Sequence, residues 1–163
     1  MGNILLISEN DEIFNKYKKL LDSNNYNFNS CCTPTSIFDL IEISPIDVVL
    51  IDEFTENLNL LLTIKRIKSK QDNTQILLIS NGENLDEEIS KLISGYILKN
   101  YSDELIISTI NSHLKTKEKL DFLSGKNKDL ADSLYRLNVL YNTSSQFAGT
   151  LDTKELLNYM IEG

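Results

Sequence analysis

No tryptophan, one histidine, two cysteines, two prolines and six glycines stand among 163 residues, and each scarcity closes off a class of protein. With 41% apolar residues, so little Pro and Gly argues against disorder and against fibrous repeats. No apolar run approaches the ~18–20 residues that a membrane helix requires, so no span is predicted. Nothing resembling a basic segment or a small-residue cleavage site precedes the strand-like residues 4–7, and a cytoplasmic location is expected. Gly2 invites N-myristoylation only superficially, because that pattern needs Ser or Thr where Leu6 stands. Basic residues are also short: a net charge of −8 excludes binding dominated by neutralised phosphates, so no nucleic-acid partner and no membrane partner are expected. The same acidity suits a cation site. Cys31 and Cys32 are adjacent on a predicted strand and point to opposite faces, which fits reduced structural cysteines rather than a disulfide or zinc site. His113 lies among polar residues near an expected helix end and reads as a solvated side chain.

What is present is an alternation. Apolar runs fall at residues 4–7, 26–32, 46–51, 76–79 and 96–98, separated by segments with helical spacing. Ile13, Tyr17, Leu20 and Leu21 share one helical face, as do Ile37, Leu40 and Ile41 behind Pro34 at a first turn. Leu60, Leu61, Ile64 and Ile67 mark a third helix, Leu85, Ile89, Leu92 and Ile93 a fourth, and Leu105, Ile106, Thr109 and Ile110 a fifth. Five such alternations imply right-handed βαβ crossovers and an α/β fold with a parallel sheet covered on both faces. The run Ile46-Asp47-Val48-Val49-Leu50-Ile51-Asp52 is the central strand of that reading, continuous in its apolar character and closed by a carboxylate. Ligand chemistry in open parallel sheets gathers at the carboxyl ends of strands, which makes Asp52 the first candidate functional residue.

After Asn111 the strand pattern stops. Leu120, Leu123, Asn127, Leu130, Leu134, Leu137 and Tyr141 recur at alternating spacings of three and four, about three heptads with Asn127 at an a position. That pattern predicts a parallel homodimer through a coiled-coil helix at 115–148, and the alternative is one amphipathic helix packed on its own domain. Gly149-Thr150-Leu151-Asp152 is expected to interrupt the helix, with Asp152 and Glu155 opening another over 153–162.

Strand ends carry Ser8-Glu9 after the first strand, Asp52 at the third, Ser80 at the fourth and Lys99 at the fifth. In these residues the segment 1–114 resembles the CheY-like receiver domain of response regulators. The resemblance implies a flavodoxin-like, doubly wound, five-stranded parallel sheet of order 2-1-3-4-5, here with a C-terminal helical extension. It further implies that Asp52 accepts a phosphoryl group from a histidine kinase or phosphotransfer protein. Self-phosphorylation and autodephosphorylation would be its only chemistry, with no independent catalytic domain. Glu9, Asp52 and the backbone carbonyl of Phe54 would hold Mg2+, Ser8 acting weakly through a water; Lys99 and Ser80 would meet phosphoryl oxygens. Tyr96, with Ser80, matches the aromatic switch of that family. Residues 149–163, with Thr150-Leu151-Asp152 followed by Glu155-Leu156-Leu157, look like the entry to a GAF sensory domain.

The sequence departs from the pattern at several points. Ser8 stands where receivers usually have a second acid, which predicts weaker Mg2+ binding, though Glu56, in place of a common Pro, could lean in. Asn81 narrows the phosphoryl entrance. Asn100 replaces the proline of a cis peptide; a cis bond before another residue costs ~3 kcal/mol, so either strain is retained or Lys99 is re-aimed. The interval from Ser80 to Lys99 is short for the family, which shortens the fourth helix or the loop after it. Two rivals follow: a degenerate pseudo-receiver that acts as an interaction or dimerisation module without phosphorylation, and a flavodoxin-like cofactor binder. The second is disfavoured because Ser8-Glu9-Asn10-Asp11 is acidic where a flavin phosphate would need a Ser/Thr/Gly-rich loop, so no organic cofactor is expected.

Overall fold

The structure, a computed structural model, describes residues 2–83 and 85–162, with the side chains of 147–156, 159 and 162 outside that description. The chain alternates β1 (Asn3–Ile7), α1 (Asp11–Ser23), β2 (Asn27–Cys31), α2 (Pro34–Ile43), β3 (Val48–Asp52), α3 (Leu60–Lys70), β4 (Gln75–Ser80), α4 (Glu87–Leu92), β5 (Gly95–Leu98) and α5 (Asp103–Glu162). All strand pairs are parallel and the order is β2-β1-β3-β4-β5, the doubly wound topology expected from the alternation. Two compact units divide the chain, residues 1–121 and 122–163.

In the first unit, β3 is the strand on which both halves of the core close. Val48 and Leu50 enter one cluster with Tyr17 of α1 and Ile106 and Ile110 of α5; Val49 and Ile51 enter the other with Ile37 of α2 and Ile64 of α3. Successive side chains point to opposite faces, so a strand covered twice must be apolar throughout. Residues 48–51 are all fully buried, each contributing about 1.5–3 kcal/mol relative to exposure. The entry to β3 is fixed by Gln71: its side-chain oxygen accepts the Ile46 N–H at 2.8 Å while its amide donates to the carbonyls of Ile41 and Ser44.

Local chemistry sets the helix starts. The Asn10 side chain accepts the N–H groups of Glu12 and Ile13, capping α1, and Thr33 with Pro34 opens α2. The short fourth segment holds a helix of six residues. At the foot of the sheet Lys117 pairs with Asp47 at 3.7 Å and with Asp121. Asp121 also accepts from Asn73, and Asp47 from the N–H of Asn3. These bonds fasten the first turns of α5 beyond residue 114 to the strand edges.

Two expectations are corrected. The helix break at 149–152 does not occur, since α5 remains helical to Glu162. Gly149 costs only about 1 kcal/mol in a helix, and no proline after Pro45 removes an intrahelical donor. The capping contact expected of Asp152 and Glu155 lies outside the described side chains. His113 is not a solvated end residue: it sits well inside α5, half-buried, with Nδ1 3.2 Å from Gln75 Oε1. Its ring lies so close to Gly95 that a Cβ there would stand 3.0 Å from Nε2, which accounts for glycine at the start of β5.

In the second unit, the described part of α5 exposes its apolar residues, among them Leu123, Leu130, Leu134, Leu137 and Tyr141 at 55–72%. No described helix is long and apolar enough to cross a membrane.

Burial holds the His113 pKa below its ordinary value. The unfolded chain therefore takes up this proton at higher pH than the folded one, so the stability linked to a neutral His113 is present above about pH 6.5 and is lost as pH falls below it. Thermal melts taken from about pH 7.5 down to about 5.5 should show a fall in Tm that is smaller in His113→Gln.

Candidate functional site

Parallel pairing brings the carboxyl ends of β1, β3, β4 and β5 to one edge of the sheet. Asp52 ends β3 opposite Ile79, Ser80 ends β4 opposite Leu98, and the Lys99 N–H donates to the Ser80 carbonyl at 3.1 Å. Ser8 follows β1, whose Ile7 pairs with Ile51. The strand ends picked out in the sequence thus share the carboxyl edge of the sheet, where Lys99 and Ile79 line a crevice.

Asp52 is only 3% exposed. One carboxylate oxygen, Oδ2, accepts the Ser8 hydroxyl at 3.0 Å and the other, Oδ1, accepts the Phe54 N–H at 3.2 Å. Ser8 is itself held, its oxygen accepting the Asn10 N–H at 3.1 Å. The Ser8 hydroxyl is therefore a direct partner of the buried carboxylate. A buried carboxylate without such donors would carry a desolvation cost of several kcal/mol.

Around this centre the other expected residues are placed less directly. Glu9 is exposed, and its carboxylate accepts from Asn57 at 3.3 Å. The buried Ser80 hydroxyl oxygen accepts the Gly82 N–H at 3.1 Å in a turn where Gly82 has φ +85°, so the O–H proton is uncommitted among the described residues. All described peptide bonds are trans, including Lys99–Asn100, and the Lys99 ammonium lies 4.3 Å from the centroid of the Phe54 ring. The strained cis peptide, one of the two consequences expected from Asn100, is thus absent from the described bonds. Tyr96 is at the surface, its hydroxyl donating to Ser90 Oγ at 3.0 Å.

The oxygens of Asp52, Glu9 and the Phe54 carbonyl are hard donors of the kind Mg2+ takes together with several waters. Among the described residues, however, no three His, Cys, Asp or Glu side chains gather to hold a metal ion. The donor chemistry fits a hard divalent cation, with fewer protein charges than a three-acid site.

One neighbour was missed in the sequence. Tyr17 reads as a helix-face core residue, and it is buried, but burial and then the negative charges of Asp52 and Asp103 raise its phenol pKa. It lines a cavity of about 210 Å3 beside the strand ends with Glu12, Ile13, Lys16, Ile79 and Lys99. Only the sheet geometry, which sets α1 over β3, brings that phenol within electrostatic reach of Asp52.

The sequence matches no protein-family model and no curated protein. Solved structures do match. The signal receiver domain of an HD domain-containing protein from Pseudomonas fluorescens Pf-5 superposes with a TM-score of 0.66 at 18% identity, over 74% of this chain and 91% of that one. The chain has the receiver fold. The same receiver fold aligns with full-length FixJ from B. japonicum, with a TM-score of 0.65 and 22% identity over 72% of this chain and 59% of that one. It also aligns with the N-terminal domain of a response regulator/sensory box/GGDEF 3-domain protein from Carboxydothermus hydrogenoformans, with a TM-score of 0.65 and 16% identity over 72% and 98%.

Within this receiver fold the Ser8 hydroxyl joins the buried Asp52 carboxylate to the backbone N–H of Asn10. Ser8→Ala should lower stability by about 1–3 kcal/mol in urea denaturation, because an Asp52 oxygen and the Asn10 N–H each lose a partner.

Proposed function

We propose that this chain is a phosphoacceptor module of a two-component signalling protein, with Asp52 as the nucleophile. The observation that carries the reading is the placement of a buried carboxylate at the end of the central strand, with a serine hydroxyl and a lysine on the next two strand ends. A carboxylate oxygen of Asp52 attacks the phosphorus of a phosphohistidine or small acyl phosphate, the bond to the donor breaks, and the leaving group keeps the electron pair. Water later cleaves the acyl phosphate and returns the carboxylate. The Ser80 O–H and the Lys99 ammonium serve the phosphoryl oxygens, and the Ser8 hydroxyl and Phe54 N–H hold the carboxylate in place beforehand. Glu9, Asp52 and the Phe54 carbonyl would hold Mg2+, with Ser8 linked through a water. When bound, the cation offsets the negative charges of nucleophile and donor. Tyr96 and Ser80 form the switch through which the modification alters the face made by α4, β5 and α5. A histidine kinase or phosphotransfer protein is the partner, and the GAF-like phrase at 149–163 leads towards the responding domain.

The α5 segment 115–148 is proposed to pair with a second copy in parallel. Support comes from the exposed seam of Leu120, Leu123, Leu130, Leu134 and Leu137, with Asn127 at a position where a polar residue selects two-stranded pairing in register.

A phosphorylation-independent interaction module is the second reading. It is favoured by one arrangement, in which both Asp52 oxygens are engaged by donors of the chain itself while Lys99 rests on Phe54.

Incubation with acetyl phosphate and Mg2+ followed by intact-mass measurement is expected to add one phosphoryl group, lost with EDTA and in Asp52→Asn; an unmodified, folded protein would favour the second reading. Restoring the acid with Ser8→Asp should tighten Mg2+ binding, and an unchanged titration would remove Ser8 from the metal's surroundings. Light scattering should report a dimer that becomes a monomer in the double variant Leu130→Asp, Leu137→Asp.

A further inference from the structure

Phe54 is a large apolar side chain left 52% exposed two residues after Asp52, so burial does not explain it. Its one described ring contact is the Lys99 ammonium at 4.3 Å from the centroid, well within the ~6 Å over which a ring face attracts a cation. Lys99 makes no ion pair with a described carboxylate, although Asp52 ends a strand close by. Two features explain that choice. Asp52 is almost fully buried with both oxygens already accepting hydrogen bonds, so pairing with it would strip water from the ammonium for a partner already satisfied. The Phe54 backbone, in turn, is tied to that same carboxylate through its N–H, which stations the ring at the rim of the crevice.

We propose that Phe54 is a positioning residue for Lys99: its ring keeps the ammonium beside the crevice in the resting protein, and the lysine leaves the ring when charge builds up on Asp52. This rests on the reading of Asp52 as phosphoacceptor. A phosphoryl group adds roughly one to two negative charges and three strong acceptor oxygens that project beyond the buried carboxylate. The lysine then meets an anion it can reach without being buried, and that charge-assisted bond outweighs a surface contact with a ring. Holding Lys99 on the ring makes the resting state slower to react. Removing the ring frees the lysine for the incoming phosphoryl group.

The test uses the full chain and two readouts. In NMR spectra of the resting protein, the ε-methylene protons of Lys99 are expected to be shifted upfield by the ring, to return to ordinary positions in Phe54→Leu, and to stay shifted in Phe54→Trp. Phosphorylation by acetyl phosphate, followed by intact mass, should be about two- to fivefold faster in Phe54→Leu, the factor a surface cation–ring contact represents. It should not be faster in Phe54→Trp, and Phe54→Leu should give no acceleration when added to Lys99→Met. Ordinary ε-proton shifts in the resting protein overturn the proposal even where Asp52 is phosphorylated. So does phosphorylation that proceeds at an unchanged or lower rate in a folded Phe54→Leu. Ring-shifted ε protons with no phosphorylation in any variant support the resting contact and overturn the phosphoacceptor reading instead.

Discussion

Two-sided burial of β3 is the constraint on which the rest of the first unit depends. Residues 48–51 are without solvent on either face, so α1 and α5 must cover one side while α2 and α3 cover the other. Once those helices are seated, the last residue of the strand can face only the crevice at the carboxyl edge. Asp52 is therefore buried because of where its strand ends, and the donors around it follow from that placement. Ser8 arrives on the neighbouring strand in register, and Phe54 arrives because the backbone turns immediately after the sheet.

This ordering explains what could be read in the sequence. The continuous apolar character of residues 46–51 reports two-sided burial, and the strand ends Ser8, Asp52, Ser80 and Lys99 follow from the same alternation. Each is a backbone placement fixed by hydrophobic period, and each is where it was expected. The side-chain partnerships are different in kind. That Ser8 bonds directly to Asp52, that Glu9 turns to Asn57, and that Lys99 settles on Phe54 depend on rotamers and on competition between neighbours, which a period cannot encode.

The two corrected positions show the same limit. His113 has polar sequence neighbours, yet its partners Gln75 and Gly95 lie on β4 and β5, far away in sequence. The segment around Gly149 contains residues that often end helices, but none that must, and in the structure the hydrogen-bonded ladder simply continues. Local composition weighs alternatives that only tertiary surroundings decide.

The ion pairs of the first unit differ in their exposure to ionic strength. Lys117 is 12% exposed where it meets Asp47 and Asp121, whereas Lys70 and Glu42, linking α3 to α2, are each more than half exposed. Mobile ions screen the open pair readily and the sheltered one far less. The attachment of α5 to the foot of the sheet is thus the part of the surface electrostatics that survives concentrated salt, while the bond between the two neighbouring helices belongs to dilute solution.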